Sequence, residues 1–291
     1  MFASGEQKTL ANVGLYFSKP TRDLLGKDEK QENNGSYINH YANWNINLIE
    51  NNVPYQTIIT DDIEGDKLQQ YKVIIAPAAK LVSDKEIASL TKWAKDDGGK
   101  LIINDDFAIC DETGLTRKAM TEVNSLKKLA YKILPETKGN SPHQVNYAIV
   151  DKVWKDGRTD KDKKEMTAIL SALQNEYSWQ TDTTTKDAVI RLWTLPDGRI
   201  VAHLINTLGT NIPNDTKIEK TVDGGITWKP IEKPIHIVIS ADALESADSY
   251  KAKIYGTTDD KETVSCETLP NGALSLTING LKDYAVVELT K

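Results

Sequence analysis

Cysteine and histidine are scarce. Cys110 and Cys266 are the only cysteines of the 291-residue chain, and its four histidines, His40, His143, His203 and His236, are spread along it. A disulfide scaffold needs denser cysteine, and a four-ligand zinc site needs cysteine and histidine at short spacings. Neither pattern is present, so no metal and no cofactor is expected. No stretch approaches the ~18–20 consecutive apolar residues of a membrane-spanning helix. Nor is there a basic excess: 36 Lys and Arg stand against 42 Asp and Glu, a formal charge of −6, with no basic cluster. Nucleic acid and membrane surfaces are therefore not expected as partners. The opening MFASGEQKTLA lacks the basic start and apolar core of a secretory signal, which leaves the compartment open. Gly-rich phosphate loops and a G-x-S-x-G nucleophile elbow are missing as well.

What is present has the proportions of a globular protein, 39% apolar and 27% charged, with length enough for two domains. In the first half, short apolar runs alternate with amphipathic segments. Asn12–Ser18, Pro54–Thr60, Tyr71–Ala76 and Lys100–Asn104 read as buried strands. Tyr37–Asn51 reads as a helix with its apolar residues at Ile38, Tyr41, Ile46, Leu48 and Ile49. A second helix starts at Ser83, with Glu86 completing a capping box, carries Ile87, Leu90, Trp93 and Ala94 on one stripe, and stops at Gly98-Gly99. Strands and helices in this order predict βαβ units and an open, mostly parallel sheet.

Between Leu115 and Asp187 the pattern is weaker. Ala130–Pro135 and Pro142–Val150 are candidate strands, and Lys161–Tyr177 is a solvated helix with Met166, Ile169, Leu170 and Leu173 on its apolar side. The mixed-sign run DGRTDKDKKE before it reads as a linker turn and exposed helix start. From Ala188 the texture changes. Ala188–Leu195 and Arg199–Asn206 alternate apolar and polar residues around Pro196-Asp197-Gly198, the signature of a hairpin. Ile235–Ile239, Lys251–Tyr255, Thr263–Glu267, Ala273–Ile278 and Tyr284–Leu289 follow at regular intervals, which predicts an all-β sandwich.

Chemistry-bearing features are few. Asn104-Asp105-Asp106 ends the fourth strand, and Ser18 and Lys19 end the first on the same edge of the sheet. Ligands of open α/β sheets bind outside the carboxyl ends of strands, so Ser18, Lys19, Asp105 and Asp106 form a candidate switch-point pocket. The alternative is that the two aspartates cap a turn through their own side chains. Cys110 lies beside Asp111 and Glu112, which oppose thiolate formation, and reads as a packed apolar residue; Cys266 sits in an alternating strand. Of six tryptophans, Trp93 and Trp193 read as core, whereas Trp44 and Trp228, beside polar or turn residues, are candidate sugar-stacking platforms. Gly224-Gly225 reads as a β-turn, and Asn34-Gly35-Ser36 and Asn214-Asp215-Thr216 match the glycosylation sequon and read as surface loops.

Three stretches of the first half, NVGLYFS at Asn12–Ser18, YANWNINLIENNVPYQTI at Tyr41–Ile58 and YKVIIAPAAKLVSDKEIASLTKWAKDDGGKLII at Tyr71–Ile103, with CDETG at Cys110–Gly114, carry a family resemblance. Together they resemble the β-galactosidase trimerisation domain of family 42 glycoside hydrolases, a relative of class I glutamine amidotransferases. RLWTLPDGRIVAHLINTLG at Arg191–Gly209 and GLKDYAVVEL at Gly280–Leu289 are similar to the small C-terminal β-sandwich of the same enzymes. The fold implied is a flavodoxin-like, class I glutamine-amidotransferase-like α/β domain over residues 1–180, followed by an all-β sandwich over 181–291.

The resemblance also implies what the chain does not do. Amidotransferases place a cysteine elbow after the third strand; here that position reads Ala76-Pro77-Ala78-Ala79-Lys80, without cysteine. In family 42 enzymes the catalytic glutamates belong to a (β/α)8 barrel, which typically needs ~250 residues and is absent from this sequence. The expectation is thus a non-catalytic C-terminal portion of a bacterial carbohydrate-active enzyme, cut from a longer chain. Its α/β domain would serve oligomerisation or docking on the missing barrel. The expected partners are that barrel, the carbohydrate substrate of the parent enzyme, and further copies in a homo-oligomer. Two alternatives stay open: a stand-alone carbohydrate-binding protein using Trp44 or Trp228, and a cysteine-dependent amidotransferase-like hydrolase using Cys110.

Overall fold

The computed structural model describes residues 7–25, 37–65, 67–135, 148–150, 153–155, 160–182, 187–208, 229–244, 250–256 and 262–291. Residues 142–147 of one candidate strand, the Gly224-Gly225 turn, Trp228 and both sequons lie outside them.

The chain begins with β1 (Lys8–Thr9), then β2 (Val13–Tyr16), α1 (Lys19–Leu25), α2 (Tyr37–Glu50), β3 (Tyr55–Ile58) and α3 (Thr60–Glu64). It continues through β4 (Val73–Ala76), α4 (Asp84–Asp96), β5 (Lys100–Asn104), α5 (Thr121–Leu129) and β6 (Lys132–Leu134). Strands β2 to β6 form one sheet in the order β3-β2-β4-β5-β6, and all neighbours run parallel. A small antiparallel hairpin of β7 (Ala148–Val150) and β8 (Val153–Lys155) precedes α6 (Asp160–Ala172).

Side-chain alternation explains the layers. Val13, Leu15, Val73, Ile75 and Ile102 point to one face, where Trp44 and Leu48 of α2 meet Ile169 and Leu170 of α6. Tyr16, Ile74, Leu101 and Ile103 point to the other, under Ile63 of α3, Leu90 and Trp93 of α4, and Leu126 of α5. A parallel sheet buried on both faces must read as unbroken apolar runs, and β2 and β4 are buried at every position. The capping box of α4 is formed as the sequence predicts: the Ser83 hydroxyl accepts from the Glu86 N–H at 3.0 Å, and a Glu86 carboxylate oxygen accepts from the Ser83 N–H at 2.7 Å. Gly98 ends that helix at φ +67°, and the neighbouring Gly99 lies so close to the Trp93 indole that no side chain fits there.

Helix α2 differs from its predicted face. Tyr37, Asn39, Asn43, Trp44, Asn47 and Leu48 are buried, while Ile38 is exposed and Tyr41, Ile46 and Ile49 are half-buried. Asparagine amides tolerate this because they bond locally: Asn47 donates to the Asn43 carbonyl at 2.8 Å and to the Met166 sulfur at 3.0 Å.

The second unit contains β9 (Trp179–Thr181), β10 (Ala188–Thr194), β11 (Ile200–Asn206), β12 (Ile235–Ile239), β13 (Lys251–Gly256), β14 (Thr263–Thr268), β15 (Leu274–Asn279) and β16 (Tyr284–Thr290). Its two antiparallel sheets run β1-β10-β11-β16-β13 and β14-β15-β12-β9. Between them lies a core that includes Trp179, Ile190, Leu192, Leu204, Ile237, Leu276 and Val287. The fold is therefore an α/β unit joined to a β-sandwich.

Two contacts redraw the expected limits at residues 180 and 181. Lys8-Thr9 pair with Thr194-Trp193, and Trp179–Thr181 pair with Ile239–Ile237, so both ends of the α/β excursion belong to the sandwich. Strands of two or three residues are too short for alternation to reveal them.

Where the units meet, two asparagine side chains stand in for backbone. The Asn12 amide donates to the Glu176 carbonyl at 2.6 Å while its oxygen accepts from the Ser178 N–H at 2.9 Å. The Asn52 amide donates to the Ala188 carbonyl at 2.9 Å while its oxygen accepts from the Ile190 N–H at 2.9 Å. Asn52 is buried and sits at φ +49°, a left-handed conformation that asparagine tolerates better than most residues. Replacing it by Gly should keep the turn and orphan two backbone groups, costing about 1–3 kcal/mol. Asn52→Ala should cost roughly 1 kcal/mol more, because alanine also strains the backbone. Urea unfolding of the two variants checks this, and an Asn52→Gly protein as stable as the parent would assign the amide no role.

Candidate functional site

The carboxyl edge of the parallel sheet is where an open α/β fold offers a site. Here the segment that follows β4 fills it. Pro77, Ala78, Ala79, Leu81 and Val82 are buried, and Lys80 is half-buried. Ser18, at the end of β2, is buried with its hydroxyl 2.9 Å from the Leu81 carbonyl and 2.7 Å from the Thr21 hydroxyl. The Thr21 hydroxyl in turn accepts from the Leu81 N–H at 3.0 Å. Asp106 is buried and pairs with the Lys80 ammonium at 2.8 Å. Of the four candidate pocket residues, Ser18 and Asp106 thus reach the same stretch of chain from two sides. They tie it down rather than facing open space. Lys19 is exposed at the start of α1, and Asp105 is exposed with a carboxylate oxygen 3.3 Å from the Lys127 ammonium.

Asn104 completes the cage: its oxygen accepts from the Ala78 N–H at 2.9 Å, and its amide donates to the Pro135 carbonyl at 2.9 Å. Ala78 sits at φ +52°. A strained turn directly after a central strand is the geometry that presents a nucleophile in elbow-type hydrolases. Here the residue on that turn is a buried methyl. Nearby, the Tyr16 hydroxyl donates to a Glu86 carboxylate oxygen at 2.6 Å, joining β2 to the cap of α4. Burial, then the adjacent carboxylate, pushes the Tyr16 phenol well above its ordinary range, so it is a fixed proton donor.

Cys110 is buried and forms isolated bridges with Leu81 and Thr116, its sulfur 4.0 Å from the Thr116 hydroxyl. Its role is packing. Trp44 does not meet the expectation of a stacking platform: at 2% exposure it lies between the sheet and α6 and has no face to offer. Its neighbours in sequence are Asn43, itself buried, and Asn45, half-buried, and their polarity misled the pattern. Trp193, expected in the core, is half-buried on the outer face of β10, edge-on to the His203 ring at a centroid distance of 4.8 Å. His203 also bonds the Tyr284 hydroxyl, and burial lowers its pKa below the usual histidine value.

In the segments that leave the carboxyl ends of β2, β3 and β5, large apolar side chains stand exposed. Leu24 and Leu25 end α1, Ile38 begins α2, Ile59 follows β3, and Leu115 follows β5 with 69% of its surface open. Leu24 reaches toward this last loop, within 3.4 Å of where a Gly114 Cβ would lie. The sequence pattern expects Ile38 on the apolar side of its helix and Ile59 in a buried strand, and both are exposed because they lie at the ends of α2 and β3. Among the described residues no group of three or more His, Cys, Asp or Glu is placed to hold a metal ion.

No protein-family model and no curated protein matches the chain. Solved structures do match. A β-galactosidase from Bacillus circulans sp. alkalophilus aligns with TM-score 0.51 and 11% identity over 97% of this chain and 42% of that one. A GH42 β-galactosidase from G. stearothermophilus, as a catalytic mutant, aligns with TM-score 0.49 and 13% identity over 96% and 40%. A β-galactosidase from the psychrophilic Marinomonas ef1 aligns with TM-score 0.48 and 12% identity over 95% and 37%. The chain thus spans about two fifths of the length of these proteins. It shares the fold of that part of the Bacillus circulans β-galactosidase.

The elbow makes a stability prediction. In Ala78→Gly, relief of the left-handed strain offsets the lost methyl and the added chain entropy, so the change should stay within about 1 kcal/mol. Ala78→Val adds branching at a positive φ inside a packed turn and should cost about 2–4 kcal/mol. Thermal unfolding of the pair measures both, and an equally tolerated valine would contradict the tight turn.

Proposed function

We propose that this chain is a non-catalytic companion portion of a glycoside hydrolase, with the α/β unit docking on a (β/α)8 barrel that carries the reacting carboxylates. Assembly with further copies of the chain is the second use of the same surface. The observation that carries the proposal is the exposure of Leu24, Leu25, Ile38, Ile59 and Leu115 in the segments that leave the carboxyl ends of β2, β3 and β5. Exposed apolar side chains gathered in one region mark surfaces that another protein covers. Among the described residues of that edge the elbow carries a methyl, and Ser18 and Asp106 are tethered to the chain after β4. The substrate class of the complete assembly follows, within the proposal, from the Bacillus circulans protein, a β-galactosidase.

Analytical ultracentrifugation of the chain mixed with a separately expressed family 42 barrel tests the docking. The expected result is a complex that a Leu24→Asp, Leu115→Asp double variant weakens at least about tenfold, as loss of central apolar anchors does. A complex indifferent to both changes would remove these residues from the interface. Turnover of an aryl β-galactoside by the chain alone, at the rate of a working glycosidase, would overturn the non-catalytic reading.

A further inference from the structure

Of the arginines among the described residues, Arg22 pairs with Asp23, Arg117 with Asp84, and Arg199 with Asp197 and Glu288. Arg191 stands apart. It lies half-buried on β10 where the sandwich meets the α/β unit, its guanidinium carbon 5.1 Å from the centre of the Tyr55 ring of β3. Its Nη1 donates to the Ile190 carbonyl at 2.7 Å, and among the described residues no carboxylate pairs with it. We propose that Arg191 anchors a binding site for a small organic monocarboxylate with a flat apolar body. The site is independent of the docking surface proposed above.

The cation is costly where it stands. Burial disfavours its charge and holds its pKa below the ordinary arginine value, with the Tyr55 phenol acting in the opposite direction. A guanidinium carries five N–H donors and stays protonated. None of its nitrogens is a buried donor without a partner, and part of the side chain stays open to solvent. A partly desolvated guanidinium with donors still in reach gains most from an anion.

The surroundings fix the class of anion. On β10, Ala188, Ile190 and Leu192 point into the sandwich core, so Val189, Arg191 and Trp193 share the outer face. Directly across on β11, His203 faces Arg191 and Ile205 faces Val189. Val189, Trp193 and Ile205 are apolar and keep part of their surface open. Burial holds His203 below the usual histidine value, so at neutral pH Arg191 is the cation of this group. Glu288, on the same face across from Val201, is held by Arg199 and by the Tyr255 hydroxyl at 2.9 Å. One guanidinium matches one negative charge. A planar carboxylate takes two parallel N–H donors from the fork, and the apolar neighbours receive the body of the molecule. A phosphate dianion would need a second cation, which these positions do not supply.

Saturation-transfer NMR and thermal shift on the full chain test this with benzoate, benzamide and inorganic phosphate. The expected result is saturable benzoate binding at about 1–10 mM that raises the melting temperature. Neutral benzamide and phosphate should each bind at least about tenfold more weakly. Arg191→Lys keeps the charge and loses the fork, and should weaken benzoate roughly three- to tenfold. Arg191→Met removes the charge and should abolish binding. Circular dichroism verifies that both variants fold, and the lysine variant carries the test if the methionine one does not. Benzamide bound as tightly as benzoate, or phosphate bound more tightly, would overturn the proposal. So would benzoate binding unchanged in Arg191→Lys, or no saturation up to about 100 mM.

Discussion

Two side-chain amides, those of Asn12 and Asn52, tie the backbone together where the α/β unit and the sandwich join. Asn52 offers one donor and one acceptor to the backbone of β10, and Asn12 does the same for the turn that leads from α6 into β9, the exchange that one step of a sheet ladder makes. A covalent crossover alone would leave the α/β unit and the sandwich free to pivot, as domain pairs do when the interface is small. Adding paired amides at two separate points converts the crossover into a defined angle. Trp179 strengthens the same corner by donating its indole N–H to the Leu10 carbonyl at 2.9 Å.

At the carboxyl edge of the α/β sheet the polar side chains are engaged in internal contacts. Its strained turn after β4, the polar residues at the ends of β2 and β5, and the buried Tyr16–Glu86 pair all occupy positions where other open sheets do chemistry. Here each is consumed. The Asn104 amide spans from the Ala78 N–H to the Pro135 carbonyl, Ser18 serves Leu81, and Asp106 serves Lys80. Strain of this kind persists where the surroundings over-determine it, and the hydrogen bond to the Ala78 N–H is part of that determination.

Much of this architecture is legible in the residues. Unbroken apolar runs at β2, β4 and β5 announce a sheet covered on both faces, and the Ser83–Glu86 box and Gly98 mark where α4 starts and stops. The alternating runs from Ala188 onward give the sandwich strands almost residue for residue. What escapes is tertiary. The two residues of β1 carry no period, and their pairing partner lies on the far side of the α/β unit. Trp44 looks exposed because its neighbours are asparagines, yet Asn43 is buried with it and Asn45 accepts from the Tyr55 hydroxyl of β3. Among the candidate site residues, sequence locates Ser18 and Asp106 on the correct edge but cannot reveal that the chain after β4 already sits there.

The position of β1 has a consequence for assembly on the ribosome. Thr194 bonds back to Lys8 across 186 positions, so the first sandwich strand must wait, unpaired, until the entire α/β excursion has emerged and β10 arrives. Loop closure over such a span is favourable only after the intervening chain has compacted. Folding of the inserted unit therefore shortens the span that β1 and β10 must close before the outer layer is complete.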